Sequence, residues 1–525
     1  MAAAAARRDA AQALQRGQFA LALERARAAL ALERTSAEAH TLCGIAELGL
    51  GDAAAAVRST DRALELQPDY DPAWVNRGIA LRRLGRLDEA LGCYDAPLAR
   101  DPHHVEALAN RAAVLSDLGR QAEAIDVIDR ALGLRPGQAA LHLNRAAACI
   151  ALGRFEEALR SCDSALALQP RLAPALLARA SAYLNLQRLT DAARDMARAR
   201  ELQPDNADVN FNLGCLYLAL GDFERGWPLY EWRNRRREIP RIRRFAAPAW
   251  DGIASPEGRE LFVYTDQGLG DALLFARYLA PLAAQGAQLT VAVQGVLMRL
   301  FARNFPGVTL LAEDATPQRL DLHCALSSLA GLQRALPGGN ATQGAYLRAD
   351  SADVARWEQR LSTREQSAAR GPGARRPRIG LCWATSTGNA NGRSRSLGFA
   401  ALAAQLPSDG HYVSLQKEIP AGDAALLTAL PGLSTFQDAL HDFCDTAALC
   451  ACLDLIISID TSVANLCGAL GLRTWVLVPY QGDWKWMTAA RASPWYPTAT
   501  LFRQARPDDW SEPLAQLRAE LRRGF

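Results

Sequence analysis

The sequence predicts an α solenoid over residues 1–232, followed by an α/β region built from two βαβ-type halves. A 34-residue repeat that stops just past Gly221 carries the first part of that prediction, and a change of hydrophobic period at Glu260 carries the second. Gly17, Gly51, Gly85, Gly119, Gly153 and Gly221 lie on one 34-residue lattice, broken only by Gln187. Each closes a helical run where a left-handed C-terminal residue suffers no Cβ strain. A second lattice puts small residues where paired helices touch: Ala22, Ala56, Ala90, Ala124, Ala158, Ala192 and Gly226. Pro68, Pro102, Pro136, Pro170 and Pro204 form a third, which ends every second helix. Pro97 stands where the lattice otherwise has Ala63, Ala131, Ala165 and Ala199, so that helix should kink or shorten. Gln187 implies either a turn without a left-handed residue or a strained one.

These registers resemble tetratricopeptide repeats, with about seven units over residues 1–232. The resemblance implies a right-handed superhelix with a concave face that grips peptides, so a polypeptide partner is expected.

Composition narrows the remaining possibilities. At 525 residues the chain has room for a solenoid and two ordinary α/β domains, and it is 50% hydrophobic. A net charge of +3 from 59 basic and 56 acidic residues gives no reason to expect nucleic acid. The 11 cysteines lack zinc-type pairing and read as buried hydrophobes in a reducing compartment. The N-terminal MAAAAARRDAAQALQRG is too weakly apolar for a signal peptide and runs straight into the first repeat. No uncharged apolar run of about 18 residues occurs, so no membrane span is expected and the default address is the cytoplasm.

Residues 233–250 read as a basic linker, RNRRREIPRIRR followed by a short approach to the next domain. It suits either a solvated strap paired with nearby acids or a contact to phosphates or an anionic membrane. From Glu260 the strand LFVYTD, the turn GLGD, the helix ALLFARYLAPLAAQG and the strand LTVAV make a βαβ opening, and residues 251–361 form the first Rossmann-like half. STREQSAARGPGARRP places a linker at 362–377. Residues 378–525 form the second Rossmann-like half, with strands at RIGLCWA, HYVSLQ, LDLIISI and RTWVLV and a closing helix over 511–523.

Three polar motifs follow strands, where open α/β sheets bind ligands. In TDQGLGDALLFARY, Gly268 and Gly270 are expected to turn the backbone sharply and leave amides facing out at a helix start, with Gln267 beside them. Asp271 there is either a cap or a functional carboxylate at the cleft rim. In IDTSVANLCGALG, Asp460 ends a strand and Thr461 and Ser462 open a helix, as caps or as a pyrophosphate cradle. In WATSTGNANGRSRS, a hydroxyl-rich loop with Arg393 and Arg395 suits phosphate oxygens, and suits a solvated surface loop equally.

With VSLQK, CDTAALCACLDLIISIDTSVANLCGALG and DWKWM…SPWYPTATLFRQ, these motifs resemble the transferase half of bacterial tetratricopeptide-repeat glycosyltransferases, itself similar to heptosyltransferases. The likeness spans residues 245–505. It implies a glycosyltransferase-B fold: an acceptor-side first half, a nucleotide-sugar-binding second half, no cofactor and no obligatory metal. It also implies that Asp271 is the general base and that Arg395, with Thr385 and Ser386 beside it, binds donor phosphate. Asp460 and Thr461 would contact the donor. The family usually has His four residues after that Thr. Asn465 stands there instead and can donate a hydrogen bond but carry no charge.

The chemistry implied is an inverting transfer in which a carboxylate takes the acceptor proton while helix amides and an arginine hold the leaving diphosphate. Trp484 would wall the donor pocket or serve as a core aromatic. His323 is a candidate on the acceptor side. A protein acceptor recruited by the repeats is the leading expectation. A glycolipid or polysaccharide-precursor acceptor, and a scaffold with a vestigial transferase half, stand as alternatives.

Overall fold

The computed structural model describes residues 1–236, 243, 245–333, 344–368, 376–385, 395–408, 410–488 and 491–524. The chain forms two compact units, Met1–Pro204 and Asp205–Phe525. The first is all helical. Its helices are α1 (Ala2–Gln15), α2 (Phe19–Leu32), α3 (Ala37–Gly49), α4 (Ala53–Leu66), α5 (Asp71–Arg83), α6 (Leu87–Gly92), α7 (Asp95–Arg100), α8 (Val105–Asp117), α9 (Gln121–Leu134), α10 (Ala139–Ala151), α11 (Phe155–Leu168), α12 (Ala173–Asn185) and α13 (Leu189–Leu202).

The lattice glycines take left-handed backbone, from φ +69° at Gly17 to +89° at Gly51, and the alanines from Ala22 to Ala192 are buried between helices. Gln187 adopts φ +55°, so the lattice keeps its turn there at the cost of Cβ strain. The helix holding Pro97 breaks into α6 and α7, because proline at that place offers no N–H to the preceding turn. Tyr94 at the break is fully buried, and a Cβ on Gly78 would stand 2.5 Å from its hydroxyl. A fourth register is present that the apolar pattern does not announce. Arg77, Arg111, Arg145 and Arg179 each pair with the aspartate 16 residues earlier (Asp61, Asp95, Asp129 and Asp163) at 2.5–2.7 Å.

The second unit begins with one more helical hairpin, α14 (Ala207–Ala219) and α15 (Phe223–Tyr230), ending in a 3-10 turn over Glu231–Arg235. This hairpin belongs to the α/β region by packing, because Trp227 and Tyr230 join a core with Phe275, Trp484 and Trp495. Arg233 pairs with nearby acids as expected of the strap, but it is buried and not solvated. It is 0% exposed and its guanidinium bonds Asp266 at 2.8 Å, Glu231 at 2.8 Å and Ser328 at 2.6 Å. Most of the remaining basic segment, 237–242 and 244, lies outside the described residues.

The first sheet is parallel, in the order β3-β2-β1-β4, with β1 (Glu260–Tyr264), β2 (Gln288–Val293), β3 (Thr309–Ala312) and β4 (Leu322–Ala325). Its helices are α16 (Leu269–Phe275), α17 (Leu279–Ala283), α18 (Gly295–Asn304) and α19 (Leu329–Leu332), so the single helix expected after GLGD is two, split by a 3-10 turn over Ala276–Tyr278. Helix α20 (Ser351–Ala368) runs through 362–368, which were expected to be linker; helical propensity in Arg, Glu, Gln and Ala outweighs the Ser and Thr. The second sheet is also parallel, in the order β10-β9-β8-β5-β6-β7, with β5 (Arg378–Cys382), β6 (His411–Ser414), β7 (Leu433–Ser434), β8 (Leu455–Ile459), β9 (Thr474–Val478) and β10 (Ala499–Arg503). Helices α21 (Phe399–Ala403), α22 (Ala421–Ala424), α23 (Phe443–Ala451), α24 (Ser462–Ala469) and α25 (Ser511–Arg523) complete it. The strands β5, β8 and β9 are buried along their whole length, as parallel strands covered on both faces must be.

Candidate functional site

Helices α16 and α24 pack against each other, and their N-termini meet at one cleft. A Cβ on Gly270 would lie 2.9 Å from Asn465 Nδ2 and 3.7 Å from Ser462 Cα, so the glycine is there for close approach. Gly268 caps α16 at φ −69° and ψ 173°, and neither glycine has left-handed backbone. Neither helix has a side-chain cap among the described residues, so the cap position of each leaves the first-turn amides without the usual capping bond. Thr461 sits at the cap position of α24 but turns its hydroxyl toward Ser458 Oγ at 3.1 Å and Cys382 Sγ at 3.6 Å.

The cleft between the two sheets encloses about 640 Å³ and is lined by Gly268, Gly270, Asp271, Thr385, Arg395, Asp460, Thr461, Ser462 and Asn465 among others. These residues come from segments almost 200 positions apart, and the fold brings nine of the expected site residues together. Ser386 and Arg393 lie outside the described residues. The root of their loop is fixed: the Thr385 amide donates to Ser396 Oγ at 3.2 Å and the Leu397 amide to the Trp383 carbonyl at 2.8 Å. Gln416, at the end of β6, accepts from the amides of Trp383 at 3.0 Å and Ala384 at 3.1 Å, which holds the end of β5 open toward the cleft.

Lys485 dominates the electrostatics. Its side chain is 5% exposed, and its ammonium donates to Asp271 Oδ1 at 3.1 Å and Asp483 Oδ2 at 2.9 Å. Burial pushes the Asp271 carboxyl above its ordinary pKa, with Lys485 pulling the other way. Burial likewise raises Asp460, whose Oδ2 has no hydrogen-bond partner among the described residues and lies 3.7 Å from the Arg395 guanidinium. Burial works against the charge on Lys485, but Asp271, Asp483 and Asp460 outweigh it and its pKa rises. A buried cation among three carboxylates is therefore held in the charged state.

Four expected site residues take other roles. Asn465 is 1% exposed; its amide donates to the Thr461 carbonyl at 2.9 Å and its oxygen accepts from Tyr496 at 3.0 Å, so it holds α24 to the core. Trp484 is a core aromatic, with ring centroids 5.5 Å from Trp227 and 5.9 Å from Trp495, and does not line the cleft. His323 lies on β4 with its ring 4.6 Å from Phe245 and, with Gln267, lines a separate cavity of about 240 Å³. Burial lowers the pKa of His323. That cavity shares no lining residue with the cleft, and in the turn beside it the Asp266 carboxylate accepts from Ser327 Oγ at 2.7 Å.

The sequence does carry a signal for Lys485. Only two of the 59 basic residues are lysines, Lys417 and Lys485, and both line the cleft. An ammonium is a compact point charge with three donors, unlike the planar fork of a guanidinium.

A tetratricopeptide-repeat family model matches residues 75–139 and 177–230. The helical array is a solenoid of tetratricopeptide repeats. Repeats of this kind bind peptides and protein partners. The chain is 29% identical over 349 residues to protein FlbA of Caulobacter vibrioides, a match covering 61% of this chain and 55% of that protein. The chain thus spans about half the length of the curated relative it matches. Among solved structures, a thermophilic tetratricopeptide-repeat protein of Thermus thermophilus is 25% identical, over 35% of this chain and 100% of that one, with a TM-score of 0.32. PilF of Pseudomonas aeruginosa is 20% identical, over 40% of this chain and 95% of its own, with a TM-score of 0.36. Among the described residues, no helix is long and apolar enough to cross a membrane.

Proposed function

We propose that the α/β unit is a glycosyltransferase of the glycosyltransferase-B arrangement, moving a sugar from a nucleotide-sugar to a protein acceptor selected by the repeats. The observation that carries this reading is the meeting of two uncapped helix N-termini with Asp271 and Lys485 at one cleft. Asp271 accepts the proton of the acceptor hydroxyl as that oxygen attacks the anomeric carbon. The raised pKa that burial gives it makes it a better base than a solvated carboxylate. The first-turn amides of α24 and the Arg395 guanidinium take up the charge that develops on the leaving diphosphate. Asp460 orients Arg395 from 3.7 Å, and Lys485 keeps Asp271 turned into the cleft.

The test is slow hydrolysis of a panel of nucleotide-sugars by the full chain. Asp271→Ala should abolish turnover while nucleotide binding, read by thermal shift, remains. Equal turnover in that variant would remove Asp271 as base. A second reading, a repeat scaffold with a silent cleft, draws on one observation: Asn465 spends its oxygen and an amide hydrogen inside the protein. No hydrolysis and no thermal shift with any nucleotide would favour it.

A further inference from the structure

One face of α20 carries arginine at 356, 360 and 364, four residues apart. Like charges at this spacing repel, so the helix bears them against its own stability. Arg356 is offset by Asp353. Arg360 and Arg364 make no ion pair with a carboxylate among the described residues. Instead their guanidinium groups rest on rings: Arg360 is 5.3 Å from the Trp357 centroid and 5.7 Å from Phe436, and Arg364 is 5.8 Å from Phe436. A cation held near a ring face keeps its N–H groups able to donate to an anion. Asp438 lines the same pocket but pairs with neither.

These residues wall a second pocket of about 640 Å³. Arg299 stands in its wall from α18, bonded to Asp442 at 2.9 Å and Asp445 at 2.8 Å, and its Nε is buried with no acceptor among the described residues. The pocket adjoins the cleft, and His441 stands in the wall of both. Lys417, on the cleft side, donates to the Gln437 carbonyl in the loop that divides them.

We propose that this groove binds an acidic peptide segment beside the cleft. Spacing favours an extended peptide over a compact anion. Arginines four residues apart on a helix stand about 6 Å apart along its axis. Carboxylates on alternate residues of an extended chain recur at about 6.6 Å, nearly the same step. A single phosphate is best held by guanidinium groups converging on one point, and these are laid out in a row. The aromatic floor of Trp357 and Phe436 suits the apolar stems of such side chains. Calling the segment part of the acceptor rests on the transferase reading; the groove itself does not.

The probe is a fluorescein-labelled peptide of alternating glutamate and alanine, read by anisotropy with the full chain and no nucleotide. Binding should saturate, weaken as salt rises, and vanish for the glutamine–alanine counterpart. The double variant Arg360→Gln/Arg364→Gln should bind about tenfold more weakly, with an unfolding temperature no lower than the parent. Absence of binding by the parent chain, or equal binding by the variant, would overturn the groove. Displacement by an equal concentration of inorganic phosphate would overturn the peptide assignment. Since the assay holds no nucleotide, a cleft that binds no nucleotide-sugar would sink the transferase reading and leave this result standing.

Discussion

Replacing Lys485 by methionine removes a buried ammonium while keeping its volume, and strands the carboxylates it serves. In the parent chain Asp271 lies 3.1 Å and Asp483 2.9 Å from Nζ, and Asp460 has an oxygen with no hydrogen-bond partner among the described residues. Breaking a buried ion pair from one side costs about 3–5 kcal/mol, because the remaining charge is left uncompensated. The loss should depend on pH. Burial already raises Asp271 above its unfolded value, so its contribution favours the fold at low pH and is lost as pH rises through the folded pKa. Without Lys485 that pKa moves higher still, and protonation relieves the variant by about 1.4 kcal/mol per pH unit below it. The raised pKa of Lys485 itself keeps its stabilisation intact across the neutral range and gives it up only in alkali. Calorimetric unfolding should therefore show a deficit on the order of 10 °C near pH 8 that narrows steadily toward pH 5. A deficit of the same size at every pH, or none, would refute a buried charge cluster organised by Lys485.

Gly270→Ala must push Asn465 off its bonds to Thr461 and Tyr496, at a cost of about 1–3 kcal/mol in denaturant unfolding. Gly268→Ala, whose Cβ meets nothing nearer than Asp271 Oδ2 at 3.8 Å, should stay within about 0.5 kcal/mol of the parent. Gln187→Gly relieves a left-handed glutamine and should stabilise the solenoid by about 0.5–1 kcal/mol, seen as a higher melting temperature of that unit. Arg233→Met leaves Asp266 buried without its cation and should lower unfolding free energy by about 3–5 kcal/mol; a neutral result would mean that Ser327 alone satisfies Asp266.

Much of the fold was legible because it is written in local periods. A glycine lattice reports turns whose φ is set by the residue itself, and Pro97 reports its own broken helix. The strands β1, β2, β5, β6, β8 and β9 and the helix α25 each announce themselves through a few neighbouring residues. Local composition misled in two places: the 362–377 segment begins as the end of a helix, where helix formers outweigh Ser and Thr, and the basic segment after Tyr230 begins with an arginine that packing seals in the core.

The candidate site divides along the same line. The sequence by itself determined that polar motifs follow β1, β5 and β8, because parallel strands ending in Gly, Asp, Thr and Ser can only open toward a ligand edge or a cap. It also held, in an excess of arginine, the isolation of Lys417 and Lys485. Only the tertiary structure decided which side chains meet. Lys485 reaches Asp271 across 214 residues of chain, Asn465 is spent on Tyr496, Trp484 faces the core, and His323 looks into a different cavity. No local period encodes such partnerships. They follow from the packing of α16 against α24, which is set by how the two sheets and the last repeat hairpin share one core.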